Sequence, residues 1–249
     1  MSNNLILVIN AYENFSYNSQ SIESIRCAAN RWKCDFIEIT DLKYESLPHK
    51  LFWNRINLIN KFNFYDKILF LDSDIIINAK APNIFNELTV EDLAVVLDGN
   101  PNGRFENDWF KKQFSTHVMN LENCVDVFKT EIPNFNYDDY WNNYFNMGVM
   151  LINPKTISKS LNRLKINIFN NKNFYELLQK GWHTEQNFFN AWLTNDGLNI
   201  KILDNKWNWL APDISDEYDM FLGEMKPWIY HFCGTNLSKE RLNTYDRWK

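Results

Sequence analysis

Asp66-Lys67-Ile68-Leu69-Phe70-Leu71-Asp72-Ser73-Asp74-Ile75-Ile76-Ile77-Asn78 places two carboxylates inside an apolar run. Ile68 to Leu71 and Ile75 to Ile77 have the composition of a strand covered on both faces of a parallel or mixed sheet. An ionised carboxylate persists in such surroundings only when it is paired or holds a metal ion. Side chains two apart on an extended chain share a face, so Asp72 and Asp74 are expected to converge on one cation while Ser73 turns away. A hard divalent ion, with open positions for a substrate phosphate, suits that pair. The plainer alternative is two carboxylates capping a strand-end turn. The apolar flanks on both sides favour the metal.

Outward from this stretch, 249 residues supply enough material for one large α/β domain, and 45% hydrophobic with 16% aromatic residues is a globular composition. No apolar run reaches membrane-spanning length, and Leu5 to Ile9 lacks the basic flank of an export signal, so a cytoplasmic location is expected. Cys27, Cys34, Cys124 and Cys233 have no zinc-finger spacing and are expected to be reduced. A net charge of -5 argues against nucleic acid as the partner, while small anions held through a metal stay compatible with it.

Leu5 to Ile9 reads as a first strand, Ile22, Ile25, Ala29 and Trp32 recur at helical spacing, and Phe36 to Ile39 supplies a second strand. Ligands of such βαβ units bind beyond the carboxyl ends of the strands, where Asn10, Tyr12 and the Asp72/Asp74 pair fall. A helix is expected from Pro48 to Phe62, with Arg55 on the same inward stripe as Phe52, Ile59 and Phe62. Its guanidinium needs an anion, which an acidic residue at the core edge or the Asp72/Asp74 site could supply. Pro82 to Leu88 predicts a short helix and Leu93 to Leu97 a strand ending at Asp98, whereas Arg104 to Tyr140 has poor periodicity and reads as an insertion, with a helical fragment near Phe110 to Phe114. Tyr144 to Pro154 predicts a strand with a polar entry at Asn146 and a glycine, Gly148, that would admit a ligand to the backbone. Thr184 to Leu193 predicts a helix with Glu185 and Gln186 in its first turn, where acidic and amide residues are favoured in any case. Leu198 to Leu203 and Trp228 to Gly234 predict two more strands, and a single histidine such as His231 ordinarily packs as a core or surface residue.

Taken in order, the segments Tyr65 to Asp74, Phe145 to Asn153, Glu185 to Asn190 and His231 to Gly234 resemble the motifs of nucleotide-sugar glycosyltransferases with the GT-A fold. The resemblance is nearest to glycosyltransferase family 8, the glycogenin and lipopolysaccharide galactosyltransferase group. It implies an α/β GT-A fold, with a Rossmann-like mixed sheet flanked by helices, as a single domain over residues 1–249 with a lid-like C-terminal segment over about 228–249. It implies Asp72, Asp74 and His231 as metal ligands, and Gln186, Glu185 and Asn146 as the catalytic group. It also implies donor binding by Asn10, Ala11, Tyr12, Arg55, Leu71, Ser73, Asp98, Gly148, Gly234 and Lys239. Two positions depart from the family pattern. Glu185 stands where the family has Asp, and Gly234 is not followed closely by Lys and Pro, which leaves Lys239 as the displaced candidate for the diphosphate.

The expected activity is metal-dependent transfer of a hexose from a UDP-sugar to an acceptor hydroxyl with retention of configuration. Carboxylates with one imidazole favour Mn²⁺, with Mg²⁺ as the second choice. A glycan, a protein side chain (including a tyrosine of the chain itself) and a lipid-linked sugar are all compatible acceptors. Two alternatives stay open: a non-catalytic GT-A module that holds a nucleotide sugar or glycan, and a nucleotidyltransferase, against which Asn10-Ala11-Tyr12-Glu13 lacks the glycine-rich loop.

Overall fold

The computed structural model describes residues 3–10, 18–41, 50–98, 124–179, 184–210 and 227–231. In chain order these form β1 (Asn4–Ile9), α1 (Asn18–Trp32), β2 (Asp35–Ile39), α2 (Lys50–Lys61), β3 (Lys67–Asp72), β4 (Ile75–Ile77) and β5 (Leu93–Leu97). A helix over residues 124–131, α3, precedes α4 (Tyr137–Asn142) and β6 (Phe145–Ile152). Then come α5 (Pro154–Asn170), α6 (Lys172–Leu178), α7 (Thr184–Asn195), β7 (Ile200–Ile202), β8 (Trp209–Leu210) and β9 (Ile229–His231). Six strands make one mixed sheet in the order β2-β1-β3-β6-β5-β7, and β4-β9-β8 make a second, small sheet.

The strand order locates the ligand crevice. β1 pairs in parallel with β2 on one side and with β3 on the other, so the order reverses at β1. Crevices form beyond the carboxyl ends at such reversals. The register sets Ile9 opposite Asp72, and Asn10 and Ser73 follow directly. All six residues of β1 are buried because apolar layers cover both faces of the sheet. Leu5, Leu7, Ile68 and Phe70 face one layer, with Phe52 and Ile59 of α2 and Phe188 and Phe189 of α7. Ile6, Val8, Leu69 and Leu71 face the other, with Ile22, Ile25 and Ala29 of α1. Alternation continues to Asp72, which therefore stands on the α2 face.

Several sequence expectations change. Ile75 to Ile77 do not extend β3: the chain turns at Ser73-Asp74 and enters the small sheet, where β4 pairs with β9. Residues 124–140 of the stretch read as an insertion are part of the core, because Phe128, Ile132 and Tyr140 lie in the same layer as Phe188. Their contacts are aromatic edges from distant segments, such as Phe128 on Phe188 with ring centres 5.1 Å apart, which leave no local periodicity to read. The short helix near residue 84 is a 3₁₀ turn, Ile84–Glu87, and the strand near residue 200 is confined to Ile200–Ile202. The fragment near Phe110 and the start of α2 before Lys50 lie outside the described residues.

Candidate active site

Three elements bring the acidic motif and His231 together. Asp72 closes β3, Asp74 stands in the turn that follows, and antiparallel pairing of β9 with β4 sets His231 opposite Ile75. Asp72 and Asp74 therefore approach each other across a turn, not along an extended strand. His231 Nε2 lies 3.2 Å from Asp74 Oδ1 and 3.8 Å from Asp72 Oδ2. One ligand atom from each of the three falls within 4.8 Å of the others. Asp74 Oδ1 and His231 Nε2 are buried and have no hydrogen-bond partner among the described residues beyond their own 3.2 Å approach, so both atoms face one point. Burial opposes ionisation of Asp74, but the neighbouring imidazole outweighs it and holds the carboxyl below its usual range. Burial likewise opposes charging of His231, and Asp74 and Asp72 outweigh it and raise the imidazole above its ordinary value. The donor set of two carboxylate oxygens and one imidazole nitrogen fits a divalent ion, with positions left open for phosphate oxygens.

Arg55 answers its two sequence readings together. Its guanidinium is buried, donates to Asp72, reaches Glu185 Oε1 at 3.4 Å and lies over the Phe70 ring at 5.2 Å. Glu185 is pushed up by burial, held back by Arg55 and pushed further by Asp72, and its Oε2 is buried without a hydrogen-bond partner among the described residues. Asp72 and Glu185 thus share one guanidinium, with Asp74 close by on His231, and a divalent cation would offset the excess negative charge.

Gln186 is held in one orientation. Its Oε1 accepts from Met147 N at 3.3 Å, and its Nε2 donates to Asp98 Oδ2 at 2.9 Å and to the Tyr144 hydroxyl at 3.1 Å. Tyr144 in turn donates to Asn187 Oδ1. Asn190 locks α7 to the entry of β6, accepting from Phe145 N at 2.6 Å and donating to Phe145 O at 2.9 Å. β6 is irregular here: Val95 pairs with Met150 but Leu97 with Phe145, so extra residues of β6 bulge out between them. Inside the bulge Asn146 Oδ1 turns back to accept from Gly148 N at 2.8 Å.

Gly148 admits a side chain of this protein to the backbone. A Cβ there would lie 2.1 Å from His231 Cε1. Gly148→Ala is expected to displace the imidazole, cost about 1–3 kcal/mol as overpacking does, and weaken at least tenfold any divalent-cation binding by the Asp72, Asp74 and His231 group. Thermal melting and Mn²⁺ titration check both, and an alanine variant matching the wild type in each would show that the ring is free to move.

Of the remaining sequence candidates, Asn10 donates to Glu38 Oε1 at 2.8 Å at the end of β1. Ser73 is buried at the turn, and the Leu71 side chain is buried in the α1-side layer, so only its backbone faces the sheet end. Ala11, Tyr12, Gly234, Lys239 and the lid-like segment beyond His231 lie outside the described residues. Sequence reading missed Asn208 and Tyr144, whose aromatic neighbours Trp207, Trp209 and Phe145 mark both stretches as core.

Among the described residues no helix is long and apolar enough to cross a membrane. No curated protein sequence matches the chain. Solved structures share its fold at low identity. A glycosyltransferase involved in glycosylation of the major capsid of the virus PBCV-1 superposes with a TM-score of 0.57 at 16% identity, covering 98% of each chain. The galactosyltransferase LgtC, in complex with donor and acceptor sugar analogues, gives 0.53 at 13% identity, over 97% of this chain and 94% of its own. Mouse xyloside xylosyltransferase 1 gives 0.52 at 15% identity, over 94% and 98%. The architecture they share is the GT-A fold. The family model described as glycosyl transferase family 8 matches residues 7–237, most of the chain, and the protein therefore belongs to glycosyltransferase family 8.

Proposed function

We propose that the protein transfers a hexose from a UDP-sugar to an acceptor hydroxyl with retention of configuration, in a site formed by Asp72, Asp74 and His231 with a divalent cation, preferably Mn²⁺. The observation that carries this reading is the convergence of two buried atoms, Asp74 Oδ1 and His231 Nε2, 3.2 Å apart beside Asp72 at the strand-order reversal. A bound cation would supply electrostatic stabilisation of the charge that grows on the departing diphosphate. Asp72, Asp74 and His231 would hold it, with Arg55 fixing the Asp72 carboxylate. Asn10, beyond β1, lies where the nucleoside would approach. Gln186 is a poor nucleophile, which favours front-face attack over a covalent sugar-enzyme intermediate. Its carbonyl oxygen would stabilise the positive charge developing at the anomeric centre. The acceptor hydroxyl would pass its proton to the leaving phosphate oxygen as the new glycosidic bond forms.

A panel of nucleotide sugars incubated with Mn²⁺ and assayed for free UDP tests this directly. Slow release of UDP from at least one UDP-hexose is expected, lost on chelation. Binding of UDP-sugars without release would make the protein a non-catalytic module, and release of pyrophosphate from UTP and a sugar phosphate would make it a nucleotidyltransferase.

A further inference from the structure

We infer that Asn208 is a positioning residue that fixes the tautomer of His231, through a chain of hydrogen bonds whose direction is set by the backbone N–H of Gly148. This rests on the metal-site reading above. The side chains concerned come from three separate segments. Asn146 Oδ1 accepts from Gly148 N at 2.8 Å and from Asn208 Nδ2 at 3.0 Å, and Asn208 Oδ1 lies 3.0 Å from His231 Nδ1. Asn146, Asn208 and His231 are all buried.

The ends of a carboxamide look alike in shape but differ in chemistry, and here the chain of partners assigns them. A backbone N–H can only donate. The Asn146 atom facing Gly148 N is therefore its oxygen, because an NH₂ there would oppose donor to donor. That same oxygen faces Asn208, so Asn208 presents its NH₂ to Asn146 and its oxygen to His231. A buried oxygen 3.0 Å from Nδ1 requires a proton on Nδ1. In the neutral imidazole the lone pair is then on Nε2, the atom aimed between Asp74 and Asp72. Without Asn208 the preference reverses: the carboxylate of Asp74, 3.2 Å from Nε2, would draw the proton there and fill the ligand position. Gly148 contributes twice, since its N–H starts the chain and its missing Cβ leaves room for the ring.

Two variants separate this role from simple packing. Asn208→Asp keeps an acceptor for Nδ1–H while losing the donor to Asn146, whereas Asn208→Ala loses both. ¹⁵N NMR of the metal-free protein at alkaline pH, with the His231 signals assigned from His231→Gln, reads the tautomer without any cation. The expected result is Nδ1–H in wild type and Asn208→Asp, and Nε2–H in Asn208→Ala. Titration with Mn²⁺ alone is expected to show 10- to 100-fold weaker binding by Asn208→Ala and wild-type or tighter binding by Asn208→Asp. An Nε2–H tautomer in the wild type, or equal loss of Mn²⁺ affinity in both variants, would overturn the inference. If the wild type shows Nδ1–H and binds no Mn²⁺, the metal reading fails while the orienting chain stands.

Discussion

Asp74→Asn is expected to lower turnover by about 10³-fold, the scale on which preorganised electrostatic groups contribute, and to abolish the enhancement of UDP binding by Mn²⁺. Asparagine keeps the volume of the side chain, so the metal-free variant should still melt cooperatively. What it removes is the charged Oδ1 that lies 3.2 Å from His231 Nε2. The pH dependence follows from the same pair. His231 is raised from its ordinary 6.5, so its contribution to metal-free stability is fully present below 6.5 and is lost as pH rises through the higher folded value. Asp74 is lowered from its ordinary 3.8, so its contribution is present above 3.8 and is lost as pH falls through the depressed value. The cation must replace the His231 proton. Mn²⁺ affinity in the wild type should therefore climb about tenfold per pH unit up to the raised His231 value and level off above it. With Asp74→Asn the break should move to lower pH, because a main cause of the raised value is gone. Mn²⁺ titrations across pH, with and without UDP, measure all of this, and unchanged Mn²⁺-dependent UDP affinity would remove Asp74 from the ligand set.

Gln186→Ala is expected to reduce kcat by about 10²- to 10³-fold while UDP affinity changes by less than about threefold. The asymmetry comes from where the amide is held. Met147 N, Asp98 and the Tyr144 hydroxyl fix both ends of the carboxamide within the bulged entry of β6, and its remaining carbonyl lone pair serves charge that exists only while the glycosidic bond is broken. Truncation also leaves Met147 N–H without that acceptor, at about 1–3 kcal/mol. Melting curves separate that loss from the kinetic one. Equal losses in UDP affinity and turnover would assign Gln186 to the helix start alone.

The apolar run around Asp72 and Asp74 was enough to place a buried strand ending in a charged pair, since only a paired or metal-bound carboxylate is tolerated there. Helical spacing likewise placed Arg55 on the inward face of α2, because a 3.6-residue period is a local property of the chain. Its partners were undetermined: Glu185 is 130 residues away and reaches Arg55 only because α7 packs against the same core layer as α2. The order of four motifs carried the family and thereby nominated His231, but its position opposite Ile75 depends on a strand exchange into a second sheet that alternation does not announce. The turn at Ser73-Asp74 is the same kind of event, since Ile75 to Ile77 have identical composition whether they continue one sheet or start another. Asn208, Tyr144 and the close approach at Gly148 were decided by tertiary structure alone. Each acts through an atom contributed from far along the chain, meeting the irregular stretch of β6 that Asn146 and Gly148 occupy.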